Sequence, residues 1–233
     1  GYSGTKDGYT FSGWKPSSNV GNWHTYDSYS AGRSYSGKYG DVVLNALWSA
    51  KSYTVTYNAN GGSVTPYGTS QNYNINSSAT VKSANKSYST FSGWKVTKVD
   101  TEGNWTLNQK ISAGTPLLGK FGNVTLTALW DVKLCDITIS LTGMDAGDSG
   151  IFTVSEGGTV LYTVAVQSGS SVTIKDLEQG TITVAPTSWS WVYSGLTTQT
   201  DNVDVSNYTF TFAATKNADV KKHEEKSEVN WGA

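Results

Sequence analysis

The pentamer Phe11-Ser12-Gly13-Trp14-Lys15 is written again, unchanged, at Phe91–Lys95, 80 positions further on. Chance does not repeat five residues that include a Trp, so the pentamer implies a longer repeat around it. It is there. Gly21-Asn22-Trp23 matches Gly103-Asn104-Trp105, and Ser30-Ala31-Gly32 matches Ser112-Ala113-Gly114. The run "KYGDVVLNALW" (Lys38–Trp48) matches "KFGNVTLTALW" (Lys120–Trp130). The offset grows from 80 to 82, which places two inserted residues between Lys95 and Gly103. A unit of this size is a small domain in tandem, not a solenoid repeat.

The unit reads as β-structure. In "SYTVTYNANGGS", Tyr53, Val55 and Tyr57 alternate with Thr54 and Thr56, the period of a half-buried strand, and the Asn-Gly-Gly that follows favours a turn. "STFSGWKVT" and "NVTLTALWD" alternate likewise, with Val124, Leu126 and Ala128 on one face. Trp94 and Trp130 are assigned to the core. A buried aromatic removes 150–250 Å² from water, roughly 4–6 kcal/mol gross, and a domain this small needs such anchors.

Composition agrees. The chain has nine Trp, fourteen Tyr and six Phe but only 15% charged residues, a blend that favours strands and tight turns. A net charge of −1 with scattered basic residues argues against nucleic-acid binding. No apolar run reaches the roughly 20 residues that span a bilayer. Cys135 is alone, so neither a disulfide framework nor a cysteine metal site is available. A chain this poor in Cys and Met suits an extracellular bacterial protein that does without disulfides. The opening "GYSGTKDGYTF" reads as an internal fragment with Gly1 a tag remnant, so an export signal or anchor is expected to lie outside it.

"YTVTYNANGG", then "FSGWK", then "VTLTALW" resembles the Listeria/Bacteroides-type repeat, close to the internalin B-repeat family. That resemblance implies small β-grasp-like modules strung along bacterial surface proteins. It covers Ser52–Trp130 fully and Gly8–Trp48 in part, because the first copy lacks the opening strand. Either that strand lies ahead of this sequence or it is absent; its absence leaves a sheet edge or core uncovered, which something, such as a neighbouring molecule, is expected to fill.

After Trp130 the texture changes. "DITISLTGMD", "GIFTVSEGGTVLYTVAVQSG" with its Ser-Glu-Gly-Gly turn, "SVTIKDLEQGTITV", "SWSWVYSG" and "NYTFTFAAT" give strands every 8–15 residues, the signature of a β-sandwich. "VTIKDLEQGTITV" resembles the hallmark of Cna B-type pilin and adhesin domains. Many of those carry a Lys–Asn isopeptide crosslink. Here Lys133 lies before the first strand, Ala185–Pro186 stand where the family often has a Glu, and only Asn217 matches an acceptor, so no isopeptide bond is expected.

The fold expected is mainly β. Two β-grasp-like modules occupy 1–51 (the truncated one) and 52–132. An immunoglobulin-like or prealbumin-like sandwich occupies 133–217, and a charged tail 218–233, where seven of the ten residues Asp219–Glu228 are charged.

Little points to catalysis. His24 and His223 are the only histidines and fall in different segments, so a triad or histidine metal site is hard to build. Most carboxylates sit in turn contexts. "MDAGDSG" faintly resembles a calcium loop but lacks its spaced acidic ligands and distal Glu. No enzyme activity, metal or cofactor is expected.

The strongest ligand candidate is "SWSWVY". It reads as a strand with Trp189, Trp191 and Tyr193 on one face, either as an exposed row for sugar rings or proteins or as sandwich core. Trp23 and Trp105, in their repeated Gly-Asn-Trp contexts, are further candidates, again with a structural alternative.

The expected role is an adhesin or stalk on the bacterial cell surface or cell wall. Its partner would be a protein or glycan of a host or neighbouring cell, and membrane or wall attachment would come through parts outside this sequence. The alternative is a carbohydrate-binding module, including one accessory to a secreted glycoside hydrolase.

Overall fold

The computed structural model describes residues 4–218, so most of the charged tail at 218–233, with His223, lies outside the described residues. The regular elements described are all strands, and the mainly-β class holds. The chain divides into two compact units, Gly1–Asp131 and Val132–Ala233.

The first unit opens with β1 (Tyr9–Pro16) and β2 (Leu44–Ala50), which pair antiparallel as a two-stranded sheet. There follow β3 (Tyr53–Asn58), β4 (Ser63–Thr65), β5 (Ser70–Tyr73), β6 (Ser83–Asn85), β7 (Ser89–Val99), β8 (Lys110–Ile111) and β9 (Val124–Val132). Five of these form one sheet in the order β5-β3-β9-β7-β8. Its centre is the parallel pair β3 and β9, the first and last long strands of the second repeat, with Val55 opposite Val124 and Tyr57 opposite Leu126. A separate ribbon joins β4 to β6.

The repeated pentamer has a specific packing task. Phe91 meets Trp94 edge-on at 5.2 Å and Trp130 at 5.5 Å, with interplanar angles of 66° and 64°. Phe11 meets Trp14 at 5.1 Å and Trp48 at 5.4 Å, with angles of 65° and 68°. The same edge-to-face triad is thus built twice, the geometry that aromatic quadrupoles prefer. The glycine between Phe and Trp is there for space. Gly13 and Gly93 have φ of +140° and +126°. A Cβ at Gly13 would lie 2.4 Å from the Tyr29 carbonyl oxygen, and one at Gly93 3.0 Å from that of Ile111. Removing the side chain lets the crossing segment hydrogen-bond at close range, as when Trp14 N–H donates to Tyr29 O at 2.7 Å.

The two copies differ in closure. Trp94, Leu126 and Ala128 are fully buried, with Val55, Tyr57 and Tyr73 in the same core. Their counterparts Trp14, Leu44 and Ala46 are only half-buried. Trp130, assigned to the core by sequence, is itself half-buried and packs against the core from its rim.

The second unit contains β10 (Leu134–Thr142), β11 (Ser149–Glu156), β12 (Thr159–Gln167), β13 (Ser170–Glu178), β14 (Gly180–Ser188), β15 (Tyr193–Ser194), β16 (Gln199–Val203), β17 (Asn207–Ala213) and β18 (Thr215–Lys216). A sheet of order β13-β10-β17 and one of order β12-β11-β14-β16 enclose a common core. Ile137, Ile139 and Leu141 from one sheet pack with Phe152, Val154, Ile182 and Val184 from the other, and Phe152 lies 4.6 Å from Phe212. Gly157 and Gly158, both at positive φ, make the two-residue turn between β11 and β12. The segment Lys175–Gly180 is less of a turn than its sequence implies. β13 runs through Glu178, and the chain changes sheets at the buried Gln179, whose N–H donates to Lys133 O at 2.8 Å.

The difference in closure should be measurable. Leu126→Ala is expected to destabilise the first unit by about 2–5 kcal/mol, and Leu44→Ala by no more than about 1–2 kcal/mol. Chemical denaturation followed by tryptophan fluorescence reads both.

Candidate functional site

The five sequence-selected aromatics occupy three different settings. Trp23 and Trp105 are buried. In each copy the preceding Asn clips the loop that follows. Asn22 Nδ2 donates to Gly37 O at 2.9 Å and its Oδ1 accepts from Tyr39 N at 2.9 Å. Asn104 makes the same two bonds, to Gly119 O at 2.8 Å and from Phe121 N at 3.1 Å. The clip holds a lysine over the indole, Lys38 at 5.4 Å and Lys120 at 5.0 Å.

The indole N–H groups take different routes to the same place. Trp105 Nε1 donates to the Tyr73 hydroxyl at 2.8 Å, and that hydroxyl donates to Gly122 O through a very short bond. Trp23 has no such tyrosine and donates directly to Gly40 O at 3.1 Å. Gly40 and Gly122 are equivalent positions. Burial pushes the Tyr73 hydroxyl up to about 12, opposed by the hydrogen bond from Trp105.

Trp189, Trp191 and Tyr193 do not share a strand face, which corrects the reading of "SWSWVY" as a strand. β14 ends at Ser188 and the chain turns, so Trp189–Val192 lie outside any strand and Tyr193 begins β15. The turn is pinned from within and without. Trp189 Nε1 donates to Tyr193 O at 3.2 Å, and Asn217 Nδ2 donates to Trp191 O at 2.9 Å. Trp189 leans on the sandwich core, Tyr193 is buried, and Trp191 stands 79% exposed. Of the five candidates, only Trp191 offers an open ring face.

Sequence reasoning missed what lies beside it. The Tyr193 hydroxyl donates to Asp148 Oδ2 at 2.6 Å and accepts from Asp145 N–H at 3.1 Å. Asp145 Oδ2 pairs with Lys216 Nζ at 2.9 Å. Lys216, and the Tyr193 hydroxyl to a lesser degree, hold the Asp145 carboxyl below its usual value near 3.8. Both aspartates come from "GMDAGDSG", and each has a partner within the fold. Among the described residues no group of three or more His, Cys, Asp or Glu is placed to hold a metal. Asn217, the possible isopeptide acceptor, is tied to Trp191, while Lys133 is exposed. His24 stacks on Tyr26 at 4.9 Å, and Cys135 is buried with its thiol pushed up by burial. The signal for the Asp145–Lys216 pair was absent from the sequence, where the two are 71 positions apart.

No protein-family model matches this chain, and no curated protein matches it. Among solved structures it is similar to GBS52, a minor pilin of Streptococcus agalactiae, at 10% identity and a TM-score of 0.33 over 72% of this chain and 97% of that one. It is also similar to the TIE protein of Bacillus anthracis, at 15% identity and a TM-score of 0.33 over 75% of this chain and 38% of that one. Likenesses this distant assign no role.

The site is thus an exposed indole on a turn braced by the Asn217 carboxamide. An exposed indole can stack on a flat apolar face. It supplies no activated nucleophile.

Two pH effects follow. Tyr73 is raised in the folded state, so its contribution is intact below its unfolded value near 10 and lost as pH rises toward about 12. The first unit should lose stability in that window, and Tyr73→Phe should flatten the loss in urea titrations at pH 9 to 12. Asp145 is lowered, so its contribution is present above about 3.8 and lost as pH falls below it. Lys216→Met should move the Asp145 carboxyl titration upward by NMR.

Proposed function

We propose that this chain is a noncatalytic segment of an extracellular bacterial surface protein, serving as a stalk or adhesin part. In this reading residues 1–51 and 52–132 are two Listeria/Bacteroides-type repeat modules, and 133–217 a Cna B-type-like sandwich. The observation that carries it is the duplicated aromatic triad. Its ring distances agree between copies to within about 0.1 Å, so what was duplicated is a packing unit. Four of the five aromatic candidates for ligand contact are buried or packed against a core instead. Repetition of a self-packing unit extends reach, which is the use a surface protein makes of it.

The partner in this reading is a protein or glycan of a host or neighbouring cell, and anchoring is through other parts of the polypeptide. A test is surface labelling of intact source cells with antibodies raised against the chain. Label that protease shaving removes supports the reading. Label that appears only after lysis refutes it.

A second reading has one specific observation behind it, the exposed Trp191 on a turn pinned by Asn217. An exposed indole face suits a sugar ring, as in a carbohydrate-binding module or an accessory part of a secreted glycoside hydrolase. On a glycan array, this reading predicts saturable binding that Trp191→Ala abolishes while shifting stability by less than about 0.5 kcal/mol. If the folded parent binds no glycan, the sugar reading fails.

A further inference from the structure

The two repeat modules touch at Gly8, and the two copies differ there in a way their shared core does not explain. Gly8 and its counterpart Tyr88 both sit at positive φ, +74° and +57°. This backbone conformation accepts a tyrosine in the second copy, so conformation alone does not call for glycine in the first. Space does. Gly8 is buried, and a Cβ on it would lie 2.9 Å from Ile75 Cδ1, 3.2 Å from Ile75 Cβ and 3.3 Å from Phe121 Cβ. All three atoms belong to the second module. The tip of Ile75 can swing aside, but the two Cβ atoms move only with their backbone.

That backbone is held. Ile75 stands in a turn in which Ser77 N–H donates to Asn74 O at 2.9 Å and Asn76 N–H donates to Asn74 Oδ1 at 2.9 Å. Ile75 O accepts from Gly119 N–H at 2.8 Å, and Phe121 N–H is clipped by Asn104. None of these bonds involves the first module, so the second module shapes this surface by itself. Further contacts converge on it. The Tyr9 hydroxyl donates to Asn76 Oδ1 at 2.8 Å, and the second copy has Ser89 in place of that tyrosine. Lys51 N–H donates to Gly8 O at 2.9 Å, which ties the link between β2 and β3 to the same glycine. Lys51 Nζ lies 3.8 Å from Glu102 Oε2 on the exposed rim, where an ion pair adds little.

We propose that the second module carries a docking surface for a repeat module that precedes it, with the Ile75 turn and Phe121 as the knob and Gly8 as the seat, and that the two modules therefore turn as one rigid body. The partner this surface fits is a module with glycine at that place. The second module has Tyr88 there, so it offers no such seat. Linked domains move against one another by default, and a short link still hinges about its own dihedrals. Close packing beside the link removes that freedom. The inference goes beyond the proposed function, because it concerns the junction itself and holds wherever the chain works.

The test uses the whole chain. Residual dipolar couplings from residues 9–50 and 53–130 should fit one alignment tensor. Gly8→Tyr, a change to the residue found in the second copy, should split them into two tensors. It should also make trypsin cleave after Lys51 at least about tenfold faster. Tyr88→Gly should leave both readings as they are in the parent. The Trp14 and Trp23 indole N–H resonances report whether the first module stays folded in Gly8→Tyr. If it does not, Ile75→Ala removes the knob from the other side and should loosen the junction in the same two readings. Two tensors in the parent overturn the proposal. So do couplings and cleavage that neither Gly8→Tyr nor Ile75→Ala changes, because the contact would then hold nothing.

Discussion

The first unit depends on one packing arrangement, an aromatic triad in which a Phe meets two Trp rings edge-on. Two strands carry it, one bringing Phe and the first Trp, the other ending on the second Trp. Large rings supply most of what a module of about 80 residues can gain from burial, and they must be held at fixed angles to gain it. The glycine between Phe and Trp follows from the same requirement. It lets a crossing segment bond directly to the strand that bears the rings. The sequence "FSGWK" is therefore a condensed statement of the module's core. It recurs because the core recurs.

The triad alone does not close a module. In the second copy the parallel strand β3 brings Val55 and Tyr57, and β5 brings Tyr73, whose hydroxyl links Trp105 to Gly122. In the first copy the lower half packs on its own aromatics, with Trp23, Tyr29 and Tyr35 at 5.3–5.6 Å from one another, while the upper half is half-open. The comparison inside one chain separates what the repeated residues do for themselves from what the opening strand adds. Edge-to-face rings form either way, but the Leu-x-Ala face is fully buried only in the copy that has β3 and β5.

Much of this was legible in the sequence. The tandem repeat, the missing opening strand and the alternating strands of the sandwich were visible because identity and a period of two survive without any structure. The structural meaning of Gly13 and Gly93 was not, since it depends on a carbonyl 16 to 18 positions away in the chain. The segment Ser188–Tyr193 misled for a related reason. Trp-Ser-Trp-Val-Tyr alternates like a strand, yet hydrogen bonds from Asn217 and within the turn bend it, and alternation carries no information about those partners. The aspartates of "GMDAGDSG" looked like turn residues, and their second role beside Lys216 and Tyr193 arises only when β18 is brought alongside β15. Local patterns located the strands, while long-range polar pairs defined the site around Trp191.

The central claim is that two modules built on the same aromatic triad differ in closure, because only the second has β3 and β5 packed beside it. Native-state hydrogen exchange measured segment by segment tests it most directly. The account predicts that amides of Leu126–Trp130 exchange at least roughly tenfold more slowly than those of Leu44–Trp48, in spite of their near-identical sequences. Equal protection of the two segments would mean that the first module is as closed as the second, and would contradict the account.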